Sequence, residues 1–129
     1  MTLTTPVKYI HLMSSTGLQT VVETTPVQAF AKEHLSVAEL EDLVNFIATH
    51  PDAGDIIQGT GGMRKLRFGA KGKGKSGGIR VITYFYIKDH PVLLIAGFAK
   101  GEMENIHQET KNALKEMTAE IKKIYKEKE

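Results

Sequence analysis

The chain has 129 residues, 41% of them hydrophobic and 25% charged, with a net charge of +2. This balance excludes a disordered chain or a collagen-like repeat, and the length fits one domain with one modest core. No cysteine is present, which excludes a disulfide scaffold, a thiolate metal site and a cysteine nucleophile.

Residues 1–17 are weakly patterned and read as an N-terminal extension, with Val7–Leu12 as a candidate short strand and Ser14, Ser15 and Gly17 as loop residues. The domain proper is expected over residues 18–129. No basic region followed by an apolar run opens the chain, so no signal peptide is expected and the expected location is the cytoplasm. Leu18–Glu23 reads as a short strand around Val21 and Val22. Thr25 and Pro26 supply a helix cap and a proline at the first helical position, opening a helix to about Glu33. Ser36-Val37-Ala38-Glu39 is a capping box for a second helix. Its Val37, Leu40, Leu43, Val44 and Ile47 recur at helical spacing and are expected to form a buried stripe. Pro51 stops that helix, and Asp52–Asp55 reads as a turn.

The second half reads as strands. Alternation over Met63–Phe68 puts Arg64, Leu66 and Phe68 on one face and Met63, Lys65 and Arg67 on the other. Ile79–Ile87 is rich in β-branched and aromatic residues. Val92–Ala99 is a continuous apolar run, expected to be a central strand covered on both faces and joined to its predecessor by a hairpin over Lys88–Pro91. It is far too short to cross a membrane as a helix, so no membrane partner is expected. Gln108–Lys126 reads as an amphipathic helix with the stripe Ala113, Leu114, Met117, Ile121 and Ile124. This order predicts an α+β fold, with N-terminal helices and a C-terminal helix on a mostly antiparallel sheet.

The small net charge hides an asymmetry. Residues 1–55 carry two basic and seven acidic side chains, residues 56–101 nine basic and one acidic, and residues 102–129 six basic and seven acidic. Between Ile56 and Lys88 there are eight basic residues and no acidic one. Ordinary surfaces mix the signs, so a field of one sign this dense is the footprint of a protein that meets a polyanion.

Within that segment, Gly69-Ala70-Lys71-Gly72-Lys73-Gly74-Lys75-Ser76 matches the phosphate-loop pattern of nucleotide hydrolases. That loop works only when a helix follows it and turns its N-terminus toward the phosphates. Here Gly77 and Gly78 lead into a strand pattern instead, so the segment reads as a hairpin tip carrying three lysines.

The run from His50 to Arg67, with Gly59-Thr60-Gly61-Gly62-Met63-Arg64-Lys65-Leu66-Arg67 at its centre, resembles RelE/HigB-type toxins. The resemblance continues through Lys71-Gly72-Lys73-Gly74-Lys75-Ser76-Gly77-Gly78-Ile79-Arg80-Val81-Ile82 and closes with Phe98-Ala99-Lys100-Gly101-Glu102, covering about residues 20 to 118. It implies a RelE-like microbial-RNase fold. It also implies a bacterial toxin of a type II toxin–antitoxin pair, a small endoribonuclease that cuts messenger RNA, usually within the decoding site of the ribosome.

RNA carries its own nucleophile, the 2′-hydroxyl beside each phosphate. An enzyme must align it, move two protons and stabilise charge on phosphorus, tasks that need neither a metal nor a cofactor. The expected products are a 2′,3′-cyclic phosphate and a 5′-hydroxyl. By the resemblance, Lys65 matches a position for proton transfer, Arg67 one near the substrate phosphate, and Arg80 the phosphate-stabilising arginine, with Lys100 as a further basic residue of the site. Arg64, Lys71, Lys73 and Lys75 are expected to grip RNA backbone. An arginine that better-studied relatives carry near the end of the last strand is Gly101 here, and the nearest candidate for their tyrosine is His107, a residue type suited to acid–base work. Tyr84 and Tyr86 are expected in the core. The implied partners are messenger RNA, the ribosome and a cognate helix-turn-helix antitoxin. A relative that binds RNA or the ribosome without cutting, and a phosphate-loop or unrelated interaction domain, are the competing readings.

Overall fold

The computed structural model describes residues 9–11, 19–69, 78–86, 90–99, 101 and 106–127. In chain order the elements are β1 (Tyr9–His11), β2 (Val21–Glu23), α1 (Thr25–His34), α2 (Val37–Thr49), β3 (Asp55–Ile56), β4 (Arg64–Phe68), β5 (Ile79–Tyr84), β6 (Val92–Ala99) and α3 (Gln108–Glu127). The strands form one sheet in the order β1-β2-β6-β5-β4-β3. Among the described residues only the β2–β6 pairing is parallel; the others are antiparallel. The α+β architecture read from the sequence is the one observed. Residues 9–11 of the N-terminal segment pair with β2, and Asp55–Ile56, read as part of a turn, instead pairs as a short edge strand with Arg64 and Lys65.

Each face of the sheet buries its own apolar cluster. On one face, Val27 and Ala31 of α1 and Leu43, Val44, Ile47 and Ala48 of α2 pack on Val21, Leu66, Ile79, Val81, Val92 and Leu94. On the other, Leu114 and Ile121 of α3 pack on Val22, Met63, Ile82, Tyr84, Leu93 and Ile95. The alternation of β4 and β5 between these clusters is the period-two rule at work. The expected helical stripes hold in part. Val37, the first residue of α2, is 77% exposed, while Ala48 takes a buried place one turn past Val44. In α3, Ala113 is exposed and Thr118 is buried in its stead, its hydroxyl donating to Leu114 O at 3.0 Å.

Local chemistry sets the ends of these elements. Ser36 caps α2 in a full capping box, its hydroxyl accepting from Glu39 N and Glu39 accepting from Ser36 N. The cap of α1 is Thr24, one residue earlier than Thr25-Pro26 suggests. The Thr24 hydroxyl donates to Leu94 O at 2.7 Å and so fastens the start of α1 to β6 rather than capping the helix. Between β3 and β4, the buried Thr60 hydroxyl donates to Ile57 O and accepts from Met63 N. Gly61 in this turn has φ +81°, and a Cβ there would stand 3.0 Å from the Thr118 methyl. The Gly59-Thr60-Gly61-Gly62 motif is thus a tight turn seated against α3.

The expected all-buried character of β6 holds only for its first half. Val92–Ile95 are buried, whereas Ala96–Ala99 are half-buried. The buried side chains of α3 lie over Ile82, Tyr84, Leu93 and Ile95, and among the described residues they do not reach the far end of the sheet.

Candidate functional site

That far end carries the cationic residues. Leu66 and Phe68 of β4 face the α1–α2 cluster, so Lys65 and Arg67, offset by one, face the α3 side. Ile79 and Val81 of β5 likewise face α1 and α2, which turns Arg80 to the α3 side. The register makes Arg67 the direct Cα partner of Arg80, and Lys65 that of Ile82. Side chains directly opposite on adjacent strands have Cβ atoms roughly 4.5–5.5 Å apart, so Arg67 and Arg80 are immediate neighbours. Arg67 is exposed; Lys65 and Arg80 are half-buried. Arg80 Nη1 donates to Ile79 O at 3.3 Å, which leaves most of its guanidinium donors for another acceptor. Among the described residues, no carboxylate is ion-paired with Lys65, Arg67 or Arg80.

The structure brings Lys65, Arg67 and Arg80 together and sets Arg64 apart. Arg64 points to the opposite face, where its Nη1 donates to Gly54 O at 3.0 Å and ties the end of β4 to the turn before β3. His107 is exposed just before α3, and its carbonyl accepts from Lys111 N in the first turn. Lys71, Lys73, Lys75 and Lys100 lie outside the described residues. A strand, β5, begins at Ile79 directly after the glycine–lysine segment, so the helix required by a phosphate-loop reading does not follow it.

Tyr84, Tyr86 and Tyr125 are withdrawn from this end. Tyr84 is buried under α3, and burial, with Tyr86 nearby, pushes its hydroxyl up to about 12. Tyr125 of α3 is pushed up to about 12 as well, by burial and then by Tyr84. His90 stacks on Tyr125 with ring centroids 4.5 Å apart, and Tyr86 packs beside both. These rings anchor the C-terminal half of α3. The cavity between α1, α2 and β2, about 470 Å³ and lined by Glu23, Lys32, Leu35, Val37 and Leu40 among others, opens on the other side of the sheet from the arginine pair.

Sequence reasoning overlooked one neighbour of the pair. Phe98 of β6 is the Cα partner of Arg80 on its other side. An apolar residue within an apolar run gives no functional signal of its own, and only the β5–β6 register sets it beside an arginine.

A small α+β domain in which no carboxylate among the described residues is ion-paired with a cross-strand arginine pair is an arrangement suited to a polyanion. The match to known families makes the class specific. Residues 20–128 match the family model of the RelE toxin of the RelE/RelB toxin–antitoxin system. The chain belongs to the RelE toxin family. It is accordingly a toxin of a toxin–antitoxin system, and the family implies an antitoxin partner. Among the described residues, no helix is long and apolar enough to cross a membrane.

Proposed function

We propose that this toxin is a ribosome-dependent endonuclease that cuts messenger RNA in the bacterial cytoplasm and so stops translation. The observation that carries this reading is the Arg67–Arg80 pair, two fixed cations on adjacent strands with no protein anion between them among the described residues. Arginine keeps its charge and holds phosphate through two donors at once. The scissile phosphate lies between the two guanidinium groups. The 2′-hydroxyl attacks phosphorus, its proton passes to a base, the bond to the 5′-oxygen breaks, and that oxygen receives a proton. Lys65, which shares the face of Arg67 two positions away, takes part in the proton transfers, and the arginines hold the extra negative charge that develops on phosphorus. Lys71, Lys73, Lys75 and Lys100 extend the grip along the RNA or ribosomal RNA backbone, and His107 offers a further acid or base. The cognate antitoxin, a helix-turn-helix protein, covers the cationic end with acidic surface.

One observation favours a second reading, a toxin that binds RNA or the ribosome without cutting. Tyr84, the tyrosine of β5, is locked in the core away from the arginine pair with its hydroxyl pushed up to about 12, and is unfit for proton transfer near neutral pH. Controlled expression in bacteria, with 5′ ends mapped on translated messages, separates the two. Growth arrest with in-frame cuts that vanish in Arg80→Ala is the result expected of the nuclease. Arrest without cuts would establish the binder.

A further inference from the structure

The row of cross-strand partners does not stop at the two arginines. Arg80 faces Arg67 on one side and Phe98 on the other, so three adjacent strands present Arg67, Arg80 and Phe98 in line on one face. Neighbouring strands are roughly 4.8 Å apart, which places an aromatic ring one strand spacing from the phosphate-binding arginine, within the span of one nucleotide. Phe98 packs from one side against the cluster under α3, together with Ala96 and Ile106, and remains half-buried rather than covered. Gly97, between Ala96 and Phe98, faces α1, where a Cβ would stand 2.4 Å from the Phe30 ring. The ring is therefore held by packing, yet keeps an open part at the only cationic end of the described sheet.

We propose that Phe98 forms a nucleobase subsite, stacking the base next to the phosphate held by Arg67 and Arg80. The proposal rests on the RNA reading given above and adds to it a residue that positions the substrate. Phosphate contacts alone fix charge but leave the nucleotide free to rotate about its backbone. A stacked base removes that freedom and helps set the 2′-hydroxyl in line with the leaving oxygen. A phenylalanine ring offers every base a π-face, so it tolerates sequence while favouring bases that stack strongly, purines over pyrimidines. It donates and accepts no hydrogen bond, and so does not select a base by its edge.

The test uses the full-length protein and single-stranded RNA oligonucleotides carrying 2-aminopurine at one position at a time, alongside oligonucleotides abasic at the same position. Phe98→Leu keeps an apolar side chain for the cluster under α3 and removes the π-face; Phe98→Trp keeps one. One position is expected to be strongly quenched by wild type and by Phe98→Trp, and not by Phe98→Leu. Affinity is expected to fall about tenfold in Phe98→Leu, within the range for losing one base–aromatic stack. An abasic site at that position lowers wild-type affinity by a similar factor and that of Phe98→Leu no further. The salt dependence of binding stays the same, since no phosphate contact is lost. Unchanged quenching and affinity in Phe98→Leu would overturn the subsite, as would an equal loss in Phe98→Trp, which marks a packing role. Arg80→Ala keeps the two readings apart. If it leaves RNA affinity and salt dependence untouched, the phosphate assignment falls whatever Phe98 does. If it weakens binding while Phe98→Leu does not, only the base subsite falls.

Discussion

Arg67 and Arg80 face each other as direct partners across β4 and β5, on the sheet face and at the sheet end that α3 leaves open. Like charges placed directly opposite on neighbouring strands repel, and here no carboxylate among the described residues is ion-paired with either. The pair therefore carries an electrostatic cost that a phosphate held between the two guanidinium groups would relieve.

Arg67→Ala is accordingly expected to stabilise the free protein while damaging function. Chemical denaturation should show a gain of about 0.2–1 kcal/mol, the scale of one relieved like-charge pair. RNA cleavage should fall at the same time, by about a hundredfold if Arg67 holds the charge that develops on phosphorus. A loss of stability in Arg67→Ala would mean that the pair is neutralised by a contact of another kind.

Arg64→Ala should behave in the opposite way. Its guanidinium is committed to Gly54 O on the other face. Removing it leaves that carbonyl without its charged donor and is expected to cost about 1–3 kcal/mol. RNA affinity and its salt dependence should change little. A reduced salt slope with unchanged stability would instead place Arg64 on the RNA backbone.

Lys73 and Lys75 belong to the segment that joins β4 to β5. If both contact phosphates of single-stranded RNA, the double substitution Lys73→Ala, Lys75→Ala should lower the slope of log affinity against log salt by about 1.4. The check is a binding titration at several salt concentrations. An unchanged slope would remove this segment from the RNA-contacting surface.

The tyrosines give a pH dependence at the alkaline end. Tyr84 and Tyr125 are raised from 10.0 to about 12 in the folded protein. The folded state thus holds these protons more tightly than the unfolded chain does. The corresponding stability is fully present below pH 10 and is lost as pH rises toward 12. Thermal unfolding followed across that range should show a falling midpoint. Tyr84→Phe should flatten the fall, because a ring without a hydroxyl has nothing to ionise. An equal slope in Tyr84→Phe would show that other groups, the lysines among them, account for the loss.

The sequence alone carried most of the fold. Helix limits were legible because capping is a local event: Ser36 and Glu39 bond to each other's backbone within one turn, and Pro51 ends α2 without help from elsewhere. The strands were legible because alternation over Arg64–Phe68 and the apolar run Val92–Ala99 are properties of consecutive residues. The strong positive charge of residues 56–101 required only counting. Misreadings arose where distant elements decide. Thr24 gives its hydroxyl to a carbonyl 70 residues away, and no local pattern distinguishes that from capping. Val37 continues a helical stripe but begins its helix, and it is exposed where the stripe pattern calls for burial.

The candidate site divides along the same line. The sequence determined which residues are cations and, by period two, that Lys65 and Arg67 share a face of one strand. It could not set Arg80 opposite Arg67, turn Arg64 to the other side and into a bond with Gly54, withdraw Tyr84 into the core, or seat Phe98 beside Arg80. Those relations depend on strand register and on how far α3 reaches over the sheet. Pairing between strands joins residues remote along the chain, and a shift of one residue would send every side chain to the other face. Composition and spacing therefore determined that one third of this protein is strongly cationic, while the tertiary structure alone decided which of those cations stand together.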